Sequence, residues 1–291
     1  MSAYLMLFTM QFLNLVSLVL AKKLQLGMKL TPSYMFQANF ISAIIACVCL
    51  FFANGCEINF TDTTIIYAFF FGFLSAASLF FTMYAYSHIS LTLTSIISSA
   101  GAIIVPMLFG LLINNEPASF KLILSAFLML IAAVLPVIKD VSFGSSKKFI
   151  WFLALYFVFS GLSNILNKLY TQAENVTDTL SYFFLTNVFM FFICGVGIIC
   201  TLIISRKKGT FDRITLPHAI NSGTRTVLSL IVSYLSLSVL TIIPVSLYAV
   251  LSSSIALIGN AIVSRFIFKE KMSIAAKISF VLAIASIFIG G

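Results

Sequence analysis

The chain has 291 residues, 61% of them hydrophobic and 9% charged, with 17 Lys and Arg against 8 Asp and Glu. Soluble domains are typically about 45–50% apolar and about 25% charged. The composition therefore excludes a cytosolic enzyme, a disordered chain and a secreted disulfide scaffold. Apolar runs long enough to cross a bilayer follow one another along the sequence, which points to a polytopic helical membrane protein with lipid as its main solvent. A net charge of +9 would suggest nucleic acid in a soluble protein. Here the bases fall in short connectors, where orientation against an anionic leaflet accounts for them, and no nucleic-acid partner is expected.

In chain order, apolar runs predict ten transmembrane helices at about 3–21, 33–54, 64–87, 90–114, 118–138, 149–169, 180–204, 216–238, 241–264 and 272–290. The run from Tyr4 to Ala21 lacks a basic leader and reads as the first span, not a signal peptide. Breaks fall at Lys22-Lys23, Asn54-Gly55, Glu116-Pro117, Lys147-Lys148, Arg206-Lys207-Lys208-Gly209 and Lys269-Glu270-Lys271. The connectors near 88–90 and 238–241 are short enough to make tight hairpins. The cysteines Cys47, Cys49, Cys56, Cys194 and Cys200 form no metal or C-x-x-C spacing and read as packing residues.

Odd-numbered connectors and their helix ends carry Lys22, Lys23, Lys29, Lys139, Lys147, Lys148, Arg206, Lys207, Lys208, Arg213, Arg265, Lys269, Lys271 and Lys277, whereas even-numbered ones carry Lys121 and Lys168. The positive-inside rule then puts the odd connectors in the cytoplasm and both termini outside, in a bacterial plasma membrane. Two Asn-x-Thr sequences, beginning at Asn59 and Asn175, fall on the expected outer side.

Residues 1–145 and 146–291 resemble each other. Ser33-Tyr34-Met35-Phe36-Gln37-Ala38-Asn39 matches Ser181-Tyr182-Phe183-Phe184-Leu185-Thr186-Asn187 at Ser, Tyr, Phe and Asn. Further on, at an offset of 154, Ser98-Ser99 matches Ser252-Ser253, Ala102 matches Ala256, Glu116 matches Glu270 and Ser119 matches Ser273. Five spans per half is an odd number, so the second half must be inverted relative to the first. The expected fold is all-α, ten transmembrane helices built from two inverted five-helix repeats, a design whose mechanical use is alternating access.

The order of Tyr84-Ala85-Tyr86-Ser87-His88-Ile89-Ser90, a fourth helix with Pro106, Asn115-Glu116-Pro117-Ala118-Ser119, and Phe268-Lys269-Glu270-Lys271-Met272-Ser273 resembles the drug/metabolite transporter superfamily in its ten-helix EamA-like branch. The resemblance covers nearly the whole chain and implies a secondary transporter, including exporters. The sequence departs from it in two places. Relatives usually carry their basic cluster between helices 2 and 3, where this chain has Glu57 and Asp62 and no base, so the charge count reverses the family's orientation. Asn260 stands where the second half would repeat Pro106.

Candidate substrate residues follow from polar positions at helical spacing. Helix 4 carries Thr92, Ser95, Ser99, Ala102 and Pro106, and helix 9 carries Ser246, Ala249, Ser253, Ala256 and Asn260, at the same steps. Such stripes also serve close helix packing. Ser99, Ser253, Asn260 and Tyr248 are retained as solute contacts. Helix 6 adds Asn164 and Asn167, and helix 1 adds Asn14 in line with Asn164. Amides facing lipid would leave polar groups unpaired, so these are expected to face the bundle interior. Tyr84 is either an interfacial anchor or a ligand contact.

Arg225 lies roughly 13 Å into helix 8 at 1.5 Å per residue, where an arginine is costly unless paired or wetted. If it lines a cavity it favours an anionic or zwitterionic solute. Because acidic residues are missing from the span interiors, exchange or facilitated diffusion is expected over a carboxylate proton relay.

The chain carries no H-E-x-x-H, G-x-S-x-G or phosphate loop, so neither an enzyme nor a cofactor is expected. The expected partners are a small-molecule substrate, amino acid-like or amphipathic, and the lipid bilayer. The alternative function is a flippase for a lipid or polyprenyl-linked carrier. Gly195, Gly197 and the small residues of helix 10 leave a homodimer open.

Overall fold

The computed structural model describes residues 3–25, 31–88, 91–112, 120–140, 147–206, 213–240, 245–269 and 273–290. The connector residues Glu116, Pro117, Glu270 and Lys271 lie outside them. Among the described residues the chain is all-helical: α1 (Ala3–Gln25), α2 (Pro32–Ala53), α3 (Asp62–His88), α4 (Leu91–Leu112), α5 (Phe120–Asp140), α6 (Lys147–Gln172), α7 (Thr179–Arg206), α8 (Leu216–Leu240), α9 (Val245–Phe266) and α10 (Ile274–Gly290). Each helix overlies one apolar run of the sequence. Over Tyr4–Lys23, Pro32–Ala53, Asp62–Thr82 and Thr179–Ile204 the helices are long and apolar enough to cross a membrane. On α7, Phe192, Val196, Ile199 and Ile203 are all exposed and recur at helical spacing, a surface suited to hydrocarbon and costly in water.

Local capping sets where the polar helix ends begin. Thr31 caps α2 by accepting from the Tyr34 amide at 3.4 Å, with Pro32 in the first turn, where its missing N–H costs nothing. Asp178 caps α7: its Oδ2 accepts from the Ser181 amide at 2.9 Å and its Oδ1 from the Ser181 hydroxyl at 2.8 Å. The α2 C-terminus closes through Gly55 at φ 66° and Cys56 at φ 65°, with the Cys56 amide donating back to the Phe51 carbonyl at 2.9 Å.

The helices gather into two compact units, each drawing on both halves of the sequence. One comprises residues 1–19, 88–164 and 231–291; the other comprises 20–87 and 165–230.

In the first unit α5 packs along α10 and α4 along α9. Ser125, near the start of α5, meets Ser286, near the end of α10, so this pair is antiparallel. Around them Ile96, Ala100, Met129, Ala132, Leu257 and Ala283 form a buried core. Helix α4 crosses α6 with almost no space: a Cβ on Gly101 would lie 2.1 Å from the Phe157 carbonyl oxygen. Only glycine permits this approach, which is how small residues hold helices together where lipid removes the hydrophobic drive.

In the second unit α2 packs along α7. Asn54, just past the end of α2, donates to Ser181 at the start of α7 (3.1 Å). At the other end Phe36 fills the space beside Gly197, and Phe40 stacks on Phe191 at 4.5 Å. Helices α2 and α7 are therefore antiparallel as well.

Candidate solute site

The second unit concentrates polar and aromatic groups where α2 begins, α3 ends and α8 begins. Tyr34, Met35 and Ala38 are buried there, with Phe80, Tyr84 and Ile214 packed against them. The Gln37 side chain bridges two elements: its Nε2 donates to the Ser33 hydroxyl at 2.9 Å, and its Oε1 accepts from the Ile214 amide at 3.0 Å. That bond fixes the approach to α8 against α2. Within the first turn of α8, His218 meets Tyr34 edge-on at 5.6 Å and bonds the Thr215 hydroxyl through Nδ1.

Deeper in α8, Ser222 donates to the Ala38 carbonyl (2.9 Å) and contacts the Ser42 hydroxyl (2.8 Å). These bonds lock α8 to α2, and Arg225, three residues further on, is half-buried with its Nε enclosed. Asn221, on the same face as Arg225 one turn earlier, donates to the Leu20 carbonyl at 3.4 Å, which brings the last turns of α1 onto α8. On that segment Lys22 is 3% exposed.

The opposite end of the same unit is polar but uncharged at its centre. Tyr182 is buried and stacks on Tyr170 at 3.8 Å with rings 12° apart. Its hydroxyl reaches Asn167 Oδ1 at 3.5 Å. Thr61 donates to the Asn175 carbonyl at 2.6 Å, and the Thr177 amide donates to Thr64 Oγ1 at 3.1 Å, tying the α2–α3 connector to the α6–α7 connector. Asn59 and Asn175 are both exposed here.

Of the expected solute residues, Tyr84 packs against Tyr34, Arg225 follows Ser222 by three residues on α8, and Asn167 belongs to the other end of that unit. Asn14, Ser99 and Asn260 belong to the first unit: Asn14 is exposed, Ser99 half-buried and Asn260 9% exposed. On α1 it is Gln11, three residues before Asn14, that is buried and donates to Ser252 at 2.6 Å. The side chains of Asn164, Tyr248 and Ser253 lie outside the described residues. Sequence reasoning missed Tyr34, Gln37, His218 and Lys22. Among the described residues no group of His, Cys, Asp and Glu side chains could hold a metal ion.

A shallow lateral groove of about 440 Å³ runs between α2 and α7, lined by Phe40, Phe191, Phe192, Gly195, Val196, Ile198 and Ile199. Its walls are apolar throughout.

No family model and no curated protein matches the chain. Several solved structures match the chain; one of them, a crystal structure, superposes with a TM-score of 0.62 at 12% identity, covering 99% of this chain and 96% of the other. At that identity the likeness concerns the fold alone.

Proposed function

We propose that this is a ten-span secondary transporter that moves a small metabolite across a membrane by alternating access between two inverted five-helix repeats. The observation that supports this most is the pairing of helices five apart in order: α2 with α7, α4 with α9, α5 with α10. Two of these pairs are antiparallel by their bonds, as inverted halves require. Exposed apolar stripes such as that on α7 support a lipid environment for the bundle. Membership of the EamA-like branch is part of the same reading and rests on the order of motifs in the sequence.

The test is uptake and counterflow in proteoliposomes with a pooled metabolite mixture, wild type beside Arg225→Ala and Asn164→Ala. Solute movement that a folded variant loses is the expected result. The apolar groove between α2 and α7 favours a second reading, a flippase whose lipid chain lies along the protein's side. An absence of solute movement with active lipid scrambling in the same vesicles selects that reading.

A further inference from the structure

We propose that the groove between α2 and α7 holds an anionic phospholipid from the leaflet at the basic end of the second unit, its chain against Phe40 and Gly195 and its headgroup beside Arg213. The inference rests on the membrane setting of the reading above and uses the groove of the second reading there. The lipid proposed here is a resident partner and not the cargo.

Depth in the membrane selects the leaflet. Helix α7 has 28 residues, about 42 Å at 1.5 Å per residue, against a hydrocarbon core about 30 Å thick. A core centred on the helix begins about 6 Å inside Arg206. The groove walls on α7, from Ile199 back to Phe191, lie about 10 to 22 Å from Arg206. They span the acyl layer of the leaflet on that side and stop near the bilayer centre.

The shape suits a hydrocarbon chain better than a second helix. Gly195 makes the hollow, since a Cβ there would meet only the Phe40 ring, at 3.5 Å. On its open side Phe192, Val196 and Ile199 are 61%, 61% and 58% exposed. Helices approach one another in lipid over small residues, and these three bulky ones hold a second helix away from Gly195. A flexible chain passes between them.

Charge complements the headgroup. By sequence, the end where α7 finishes and α2 begins carries Arg206, Lys207, Lys208 and Arg213 against Asp212, whereas the other end carries Glu57, Asp62, Glu174 and Asp178 against Lys168. Lys207, Lys208 and Asp212 lie outside the described residues. Arg213 is exposed, and its segment is tied to α2: the Ile214 amide donates to Gln37 Oε1 at 3.0 Å. Gln37 precedes Phe40 by three residues, so the two are neighbours on the surface of α2. Membrane orientation is served by a base anywhere at that end. It does not call for a bond that holds the Arg213 segment beside the wall of an apolar groove. A site for an anionic headgroup does, because a base at the membrane surface attracts one.

The experiment is native mass spectrometry and thermal unfolding of the full-length protein, delipidated in detergent and titrated with dioleoyl phosphatidylglycerol or dioleoyl phosphatidylcholine. Saturable stabilisation by the anionic lipid is expected, at lower concentration than by the zwitterionic one. Glycerol phosphate, a headgroup without chains, should not stabilise. Arg213→Gln should weaken phosphatidylglycerol binding about fivefold, the worth of one base at an anionic surface. Gly195→Leu, which fills the groove, should abolish it. Arg265→Gln removes an exposed base from the last turn of α9 in the first unit and should bind as wild type does. Equal binding of the two lipids, wild-type affinity in Arg213→Gln, an equal loss in Arg265→Gln, or stabilisation by glycerol phosphate alone overturns the proposal. A lipid-free dimer that Gly195→Leu disperses also overturns it and makes this face a contact between copies. If Gly195→Leu does not fold, the two arginine variants decide.

Lipid scrambling in vesicles of the same two lipids separates this site from the second reading. A retained anionic lipid without scrambling leaves the site standing and overturns the flippase. Scrambling of both lipids alike, unchanged in Arg213→Gln, leaves the flippase standing and overturns the anionic site.

Discussion

Ser125 and Ser286 exchange hydrogen bonds: the Ser125 hydroxyl donates to the Ser286 carbonyl at 2.8 Å, and the Ser286 hydroxyl donates to the Ser125 carbonyl at 2.7 Å. Both residues are at most 4% exposed, so water does not compete for these bonds. Each hydroxyl serves a backbone oxygen of the facing helix, which clamps α5 to α10 at one point along their length. Ser125→Ala and Ser286→Ala are each expected to destabilise by about 1 kcal/mol, the ordinary net worth of one such bond. The two hydroxyls also lie 3.2 Å from each other, so the sites are coupled and the double variant should depart from the sum of the single ones. Unfolding of the purified protein by increasing denaturing detergent measures all three.

Ser279 is expected to respond in the opposite direction. At the 154-residue offset of the repeat, Ser125 corresponds to Ser279 and Ala132 to Ser286. A two-fold copy of the Ser125–Ser286 clamp would therefore set Ser279 against Ala132, where no hydroxyl answers it. Ser279 Oγ is buried with no hydrogen-bond partner among the described residues. Ser279→Ala should be neutral or stabilising by up to about 1 kcal/mol, since it removes a desolvated group that gains nothing. A loss of stability comparable to that of Ser125→Ala in the same unfolding assay would disprove this account.

Two glycines on helices consecutive in sequence differ in what they permit. On α6, a Cβ at Gly161 would lie 2.5 Å from the Gly101 carbonyl oxygen and 2.3 Å from Val105 Cβ. On α7, a Cβ at Gly195 would meet only the Phe40 ring at 3.5 Å, an ordinary contact. Gly161→Ala must push α4 and α6 apart and is expected to cost about 3 kcal/mol or more, beyond the usual range of overpacking. Gly195→Ala should be tolerated, and gains slightly from the better helix propensity of alanine. Folded yield and thermal midpoint of the two variants make the comparison.

The helices were legible in the sequence because an apolar run of about 20 residues in a chain this hydrophobic admits little else. The site was legible only in part. Arg225 and Tyr84 stood out as a base and an aromatic in unusual positions. Tyr34 did not: its Ser-Tyr pair, shared with Ser181-Tyr182, carried information about the repeat and none about its neighbours. The two tyrosines in fact have different company, since Tyr34 meets His218, whereas Tyr182 meets Tyr170 and Asn167. Lys22 looked like one more connector base, because burial of a helix's last turn depends on what α8 brings to it. Helical spacing on α1 named Asn14; three residues separate it, exposed, from buried Gln11, and only packing decides which one turns inward.

Orientation is the remaining expectation that a native residue can test directly. Cys56 is exposed in the connector between α2 and α3, beside Glu57 and on the side that the distribution of bases puts outside. Of the other cysteines, Cys47 and Cys49 are half-buried within α2, Cys194 is buried, and Cys200 is exposed among the apolar residues of α7. Maleimides react with the thiolate, which hydrocarbon surroundings suppress, so Cys56 should dominate labelling by a membrane-impermeant reagent. In intact cells expressing the full chain, such a maleimide is expected to modify wild type and not Cys56→Ser. Modification of Cys56 only after permeabilisation would reverse the orientation, placing the basic end of α8 and its Arg225 site toward the outside.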